Sequence, residues 1–237
     1  ASSPDFVRFA DATPGSGIGF TNRAGKTPAK HLLETMGGGV ALLDYDRDGH
    51  LDVYFVNGTP LPESAPAGFV PVKTPEFFNR LYRGDGTGRF TDVTEKAGVG
   101  GKYYGMGVAT GDFDNDGYPD LYLTGFGGVQ LLRNRGDGSF EDVTEKSGAA
   151  VDGWSTGAVF FDYDRDGNLD LFVARYVEWS FDLDIWCGDR KPGYRSYCHP
   201  DHYDPVPHRL FRNEGNGRFT DVTASSGLAG HPGKGLG

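Results

Sequence analysis

The chain has 237 residues, with 38 glycines, 14 prolines and a large aromatic content of 17 Phe, 12 Tyr and 3 Trp. This composition excludes a disordered chain, and the absence of a strict glycine triplet excludes collagen. The formal net charge of -10 disfavours nucleic-acid binding, which needs a basic surface. No apolar run reaches the ~18 residues of a membrane-spanning helix.

The N-terminus reads "ASSPDF", without an initiating Met or a signal peptide, as in a processed exported protein. We therefore expect a secreted or periplasmic location. The stretch "FVRFADATPGSGIGF" is similar to the later "RFTDVTEKAGV", which predicts an outer strand over residues 6–20. Cys187 and Cys198 are the only cysteines, and a sparse even pair suits an oxidising compartment. They predict one disulfide.

A repeated unit follows along the chain: a Gly-rich apolar run, an acidic loop, a β-rich run, a connector, and two strands around a Gly turn. Short, β-branched or aromatic runs bounded by glycine indicate strands rather than helices. We predict four-stranded blades over 37–94, 105–144 and 155–223, the last with an insertion at 176–207, and the start of a next blade at 233–237. A repeat near ~50 residues with four strands predicts an all-β fold, the β-propeller. Three blades suggest a portion of a larger propeller of ~7 blades.

The acidic loops share the pattern D-x-D-x-D-G-x-x-D, first seen in "LLDYDRDGHLDVYFV". Carboxylates at positions 1, 3, 5 and 9 and a carbonyl at position 7 suit a calcium ion, which takes oxygen ligands. The flanking strands and the lack of Glu at position 12 exclude an EF-hand. Solvated acidic turns are the alternative, but the threefold spacing favours three Ca²⁺ sites. The predicted carboxylate ligands are Asp44, Asp46, Asp48 and Asp52; Asp112, Asp114, Asp116 and Asp120; and Asp162, Asp164, Asp166 and Asp170; the predicted carbonyl donors are His50, Tyr118 and Asn168.

The connector that carries both cysteines is rich in aromatic residues. Such a loop can present a ligand or partner surface, or it can be a cap that packs its aromatics on the sheets. A zinc cluster around its histidines is disfavoured, because the spacing fits no familiar site. The candidate surface residues are Trp179, Trp186, Tyr194, Tyr197 and His202. The Pro-rich stretch 58–77 is predicted to be an extended surface loop.

The three loops resemble the FG-GAP (VCBS-type) repeat of integrin α-subunit propellers. The segments "ETMGGGVALLDYDRDGHLDVYFVNG" and "CGDRKPGYRSYCHPDHYDPVPHRLFRNEGNGRFTDVT" are more similar to the cartilage acidic protein family, of ASPIC/UnbV type. This resemblance implies a secreted propeller that binds calcium and has a binding or scaffolding role.

The chain has no nucleophile elbow, P-loop or dinucleotide fingerprint, and we predict no catalytic residue and no enzyme. We expect a calcium-stabilised module that binds protein partners or the remainder of a larger chain. One alternative is a lectin-like propeller that binds glycans through aromatic loop residues. A further alternative is an enzyme whose active site lies outside this portion.

Overall fold

A computed structural model describes residues 9–236. The prediction of an all-β fold is confirmed: three four-stranded antiparallel sheets and one two-stranded hairpin account for the strands. The described residues contain no helix that is long and apolar enough to cross a membrane. The short helices are α1 (Thr94–Ala97) and α2 (Thr144–Ser147), with 3-10 turns at Leu32–Thr35, Pro75–Phe77, Pro200–His202 and Leu228–Gly230.

The first sheet has its strands in chain order, each paired with the next. Its Gly-rich turns allow short reversals between strands. The second strand is buried along most of its length, as expected for a strand covered on both faces. The strands are β1 (Val40–Leu43), β2 (Asp52–Phe55), β3 (Arg80–Gly84) and β4 (Phe90–Asp92).

The second sheet repeats this order, and all seven residues of its second strand are buried. After its fourth strand, α2 ends at Gly148, whose φ of +80° gives the left-handed C-cap that glycine favours. The strands are β5 (Tyr104–Gly111), β6 (Asp120–Phe126), β7 (Gln130–Asn134) and β8 (Phe140–Asp142).

The third sheet has the same arrangement, with a small hairpin inserted between its second and third strands. Each four-stranded sheet lies within one predicted blade, give or take one residue. The described residues do not form a closed ring. The strands of the third sheet are β9 (Ser155–Phe161), β10 (Asp170–Arg175), β13 (Arg209–Asn213) and β14 (Phe219–Asp221), and the hairpin is β11 (Cys187–Gly188) with β12 (Arg195–Ser196).

Glycines let the first strands of neighbouring sheets approach closely. A Cβ added to Gly107 would lie 2.6 Å from the backbone oxygen of Thr156, and one added to Gly39 would lie 3.1 Å from the Cα of Gly107. Side chains at these positions would separate the sheets. The recurring Gly-rich run before each acidic loop therefore has a packing role.

The two predicted terminal strands differ from the structure. Residues 6–8 of the predicted outer strand lie outside the described part, and residues 9–20 form no strand. Gly15 and Gly17 adopt φ of +89° and +85°, which interrupts an extended run. Ser16 still lies beside β4, where its carbonyl accepts a hydrogen bond from Phe90 N at 2.7 Å.

At the other end, residues 233–236 contain one isolated bridge, between Gly233 and Val206, and no strand. Pro232 has no N–H to extend a ladder. Residue 237 lies outside the described part.

The acidic loops and the long connectors lie at opposite ends of the sheets. Each loop precedes the second strand of its sheet, whereas the connectors 56–79 and 176–207 follow β2 and β10. These connectors meet residues 21–36, and we name the three segments together the cap. An aromatic core holds the cap on the sheets, with ring centroids 5.7 Å apart for Trp154 and Trp179.

Candidate metal centres

The aspartate at position 9 of each loop is buried and accepts two backbone hydrogen bonds. Asp120 accepts from Phe113 N at 3.0 Å, within the loop, and from Asn134 N at 2.7 Å, on β7. Each such carboxylate therefore fixes its loop to the third strand of the same sheet. The equivalent bonds join Asp52 to Tyr45 and Gly84, and Asp170 to Tyr163 and Asn213.

The aspartate at position 1 accepts hydrogen bonds from the backbone at positions 5 and 6. Asp112 accepts from Asp116 N at 3.0 Å and Gly117 N at 2.8 Å, and the other two loops repeat this pair. The bonds need a tight bend, which Gly117 provides with φ of +89°. The backbone thus folds each loop around its first carboxylate.

The aspartate at position 3 carries an oxygen with no partner in two of the loops. Oδ1 of Asp46 and Oδ1 of Asp114 are buried and accept no hydrogen bond. The other oxygen, Oδ2, lies 2.5 Å from Nε of Arg83 in the first loop and of Arg133 in the second. A buried carboxylate oxygen without a donor is costly. A cation at this position would supply the missing partner.

The third loop differs in its arginine. Arg212 occupies the position on β13 that Arg133 occupies on β7, but its guanidinium pairs with Glu214, NH2 to Oε1, at 2.7 Å. Asp164 is exposed and has no such ion pair. The third loop therefore keeps more of its negative charge unpaired than the other two.

Three carboxylates converge in each loop, with candidate ligand atoms within 4.8 Å of one another. An all-oxygen donor set of this kind fits a hard cation such as calcium. All three sets contain the aspartates at positions 1 and 3. The third member is the aspartate at position 5 in the first loop and the aspartate at position 9 in the second and third loops. The sets are Asp44, Asp46 and Asp48; Asp112, Asp114 and Asp120; and Asp162, Asp164 and Asp170.

Desolvation changes the ionisation of the buried carboxylates. Burial raises the pKa of Asp120 to about 8, although its two backbone hydrogen bonds act in the opposite direction. Burial also raises the pKa of Asp52 and of Asp170. A bound cation would compete with the proton at these positions.

The remaining predicted metal-binding positions, 5 and 7, are joined by the same hydrogen bond in every loop. Position 5 accepts a hydrogen bond from the backbone at position 7: from His50 N at 2.9 Å, from Tyr118 N at 3.0 Å and from Asn168 N at 2.8 Å. The acceptors are Asp48, Asp116 and Asp166. The role of the carbonyls at position 7 as ligands stays a prediction.

Two features of the loops were not predicted from the sequence. Position 4, occupied by Arg47, Asn115 and Arg165, is left-handed, with φ of 57° to 64°. The arginine partners of position 3 were also missed. The available signal was an arginine at the penultimate position of each third strand: Arg83, Arg133 and Arg212.

The candidate surface residues of the connector separate into two groups. Trp179 is buried in the aromatic core, and Tyr197 donates a hydrogen bond to Glu34 Oε2 at 3.1 Å, so both belong to the cap. Trp186, Tyr194 and His202 are exposed. The connector is thus a cap on one side and an exposed surface on the other.

The structure contains the predicted disulfide, between Cys187 and Cys198. Both cysteines contribute to the aromatic core of the cap. The bond closes the segment that carries the β11–β12 hairpin. The disulfide fits an extracytoplasmic location.

Comparison with known families supports the resemblance at the level of the repeat. A family model described as "FG-GAP-like repeat" matches residues 74–123 and 112–173, which include the second and third acidic loops. The chain carries FG-GAP-like repeats. FG-GAP repeats commonly bind calcium, in agreement with the convergence of aspartates in each loop.

No curated protein sequence matches the chain. Among solved structures, the chain is similar to a lectin of Agrocybe aegerita that recognises non-reducing terminal N-acetylglucosamine, at 15% identity and a TM-score of 0.32, over 81% of this chain and 54% of that one. It is also similar to the exotype rhamnogalacturonan lyase YesX, at 16% identity and a TM-score of 0.35, over 77% of this chain and 37% of that one. The chain thus spans about half or less of each of these structures.

Proposed function

We propose that the chain is part of a calcium-stabilised, extracytoplasmic β-propeller of the ASPIC/UnbV type that acts as a non-enzymatic binding or scaffolding module. The unpartnered Oδ1 atoms of Asp46 and Asp114 are the observation that carries this proposal. The same atom lacks a donor in two repeats, and its residue belongs in each to a group of three converging aspartates. Repetition at one position supports a site for a ligand rather than a local packing defect.

Calcium would be held by the aspartates of each loop together with the backbone carbonyl at position 7. The ion supplies positive charge that offsets carboxylate repulsion. Position 9 links each loop to the third strand of its sheet, so an ordered loop supports the sheet. This supports a structural role for the ions, with a larger propeller as the setting.

The test is a calcium titration of the chelator-treated chain by isothermal calorimetry, combined with thermal unfolding. We expect calcium to raise the melting temperature and Asp114→Asn to remove the binding event of the second loop. The matched control is Asp152→Asn, which removes one exposed carboxylate outside the loops. An unchanged melting temperature in chelator, or equal calcium binding by both variants, would contradict the proposal.

The partner of the module belongs to one of two classes. A protein, or the remainder of a larger chain, is the first, and the two long connectors with exposed residues offer a surface for it. A glycan is the second, and the exposed Trp186 favours it because amphipathic aromatic rings are common ligand contacts.

A further inference from the structure

Trp186 is the one exposed tryptophan of the three in the chain. Its side chain is 41% exposed, whereas Trp154 and Trp179 are buried. It directly precedes Cys187, the first residue of the β11–β12 hairpin, which the disulfide to Cys198 closes. An exposed indole on a cross-linked hairpin is presented with little conformational freedom to lose on binding.

A series of polar contacts fixes the orientation of the Trp186 indole ring. The guanidinium of Arg195 lies over the indole, 5.5 Å from the ring centroid. Arg195 NH2 also donates to Asp184 Oδ2 at 2.6 Å and to Ile185 O at 3.1 Å. On its other side, Trp186 donates from Nε1 to Asp189 O at 3.3 Å. The ring is thus held at both its face and its nitrogen.

At its buried end, this series of contacts reaches an ion pair between Asp184 and His31. Asp184 Oδ2 lies 2.6 Å from Nδ1 of His31, and Nε2 of His31 faces Pro62 O at 2.9 Å. Both side chains of the pair are almost fully buried. Burial of charged groups costs free energy that a good pairing offsets only in part, so such a pair adds little stability. Its evident structural effect is to fix Arg195 against the face of the Trp186 indole.

The surface next to Trp186 is concave and carries positive charge. Trp186, Arg190, Lys191 and Pro192 line an open recess of about 370 Å³. Both cationic side chains are exposed, in a chain whose net charge is -10. An acidic ligand is therefore attracted at this recess and repelled by the acidic loops.

From this geometry we infer that the Trp186 recess binds an acidic saccharide, one that carries a carboxylate or a sulfate. The apolar C–H face of a sugar ring packs on the indole, and the anionic group pairs with Arg190 and Lys191. This inference rests on the proposed binding function and specifies its ligand class. A neutral sugar lacks the group that the two cations recognise.

The test is a glycan array of uronic, sialylated and sulfated oligosaccharides beside their neutral counterparts, probed with the calcium-loaded chain. The affinity of the strongest binder for wild type and for each variant is then measured by isothermal calorimetry. We expect acidic glycans to bind, and Trp186→Ala to weaken the affinity by about tenfold or more, as for removal of one aromatic anchor. The double variant Arg190→Gln/Lys191→Gln should abolish the preference for the acidic over the neutral glycan.

The controls separate this inference from the proposed function. Lys96→Gln removes an exposed cation elsewhere and should leave glycan binding unchanged. The acidic loop and the connector flank β10, roughly 20 Å apart, so Trp186→Ala should leave calcium affinity unchanged, as calorimetry measures. Unaltered calcium binding with no acidic glycan bound would overturn the inference alone. Equal binding by wild type and Trp186→Ala, or binding to an immobilised peptide library and to no glycan, would also overturn it.

Discussion

Asn134 on β7 donates a hydrogen bond from Nδ2 to the backbone carbonyl of Tyr45 at 2.8 Å, and so joins the second sheet to the acidic loop of the first. The next repeat forms the same bond, from Asn213 Nδ2 to Phe113 O at 2.7 Å. Both asparagines are buried. The first and second acidic loops are therefore each connected both to their own sheet and to the sheet that follows.

Replacement of Asn134 by Ala should destabilise the chain. The change leaves the buried carbonyl of Tyr45 without this donor, and an unsatisfied buried group costs about 1–3 kcal/mol. Asn213→Ala should have a similar effect. Urea denaturation in the presence of calcium measures both. The control, Asn216→Ala, alters an exposed turn and should stay within about 0.5 kcal/mol of wild type. Equal stabilities of Asn134→Ala and Asn216→Ala would contradict this role.

Calcium binding should release close to one proton from the second loop at neutral pH. Burial raises the pKa of Asp120 to about 8, so this carboxyl is mostly protonated at about pH 7 in the ion-free chain. Calorimetric titrations in Tris and in HEPES, which differ in ionisation enthalpy, measure the release. Asp120→Asn should lower it. An apparent enthalpy that is the same in both buffers would show that Asp120 is already ionised.

The raised pKa of Asp120 also means that this residue stabilises the ion-free chain more at low pH than at high pH. The free energy that a neutral Asp120 contributes is present below its unfolded pKa and is lost as the pH rises through about 8. The stabilisation by calcium should therefore increase over that pH range. Thermal unfolding with and without chelator, at a series of pH values, measures this difference. A calcium effect that is constant with pH would be inconsistent with the buried acid.

The contacts of His31 favour its protonated form, and loss of that proton should destabilise the cap. Both of its ring nitrogens face acceptors, so both must carry a proton. Burial of the ring lowers its pKa, but the hydrogen bonds to Asp184 and Pro62 O and the negative charges of Asp184 and Glu34 outweigh burial, and the net pKa is raised. This stabilisation is present below about pH 6.5, the unfolded value, and is lost as the pH rises through the folded pKa.

NMR titration of the imidazole measures the pKa of His31 directly. Asp184→Asn should lower it, because the carboxylate that favours the charged ring is removed. His31→Gln should remove the His31 contribution to the pH dependence of the unfolding free energy, whereas His202→Gln, on an exposed turn, should leave that contribution in place. A folded-state pKa of His31 below about 6.5, the unfolded value, would contradict this prediction.

Gly107→Ala should destabilise the contact between the second and third sheets. The new Cβ would lie 2.6 Å from Thr156 O and 2.8 Å from Thr124 Oγ1, and such overpacking costs about 1–3 kcal/mol. Urea denaturation measures the loss. Gly37→Ala is the control, because an added Cβ there meets no atom within 4 Å. A loss of stability no larger than that of Gly37→Ala would show that the sheets can separate at no cost.

The strands, the acidic loops and the disulfide could be predicted from the sequence because each depends on a local or repeated pattern. Leu121, Tyr122 and Leu123 on β6 are an example: an apolar run bounded by turn residues becomes a buried central strand. The turn geometry of the loops followed from Gly49 and its equivalents, which adopt the positive φ that glycine permits.

Other contacts could not be predicted because they join residues far apart in the chain. His31 and Asp184 are 153 positions apart, and neither belongs to the repeat. The bond from Asn134 to Tyr45 spans 89 positions and depends on how two sheets pack. The outer strand expected over 6–20 failed for a related reason, since similarity to a later strand could not show that Gly15 and Gly17 interrupt the extended backbone.

The acidic loops and the cap lie at opposite ends of the strands. The residues that stabilise the sheets are therefore separate from the exposed residues of the connectors. One end carries the charged groups that hold the sheets together. The other end carries two long connectors, whose exposed residues, such as Trp186 and Lys191, lie away from the acidic loops. Insertions and substitutions in the connectors can therefore change the exposed surface while the framework of sheets and acidic loops stays intact. A series of related chains that keep the same loops and differ in residues 176–207 would form a set of binders on one common scaffold.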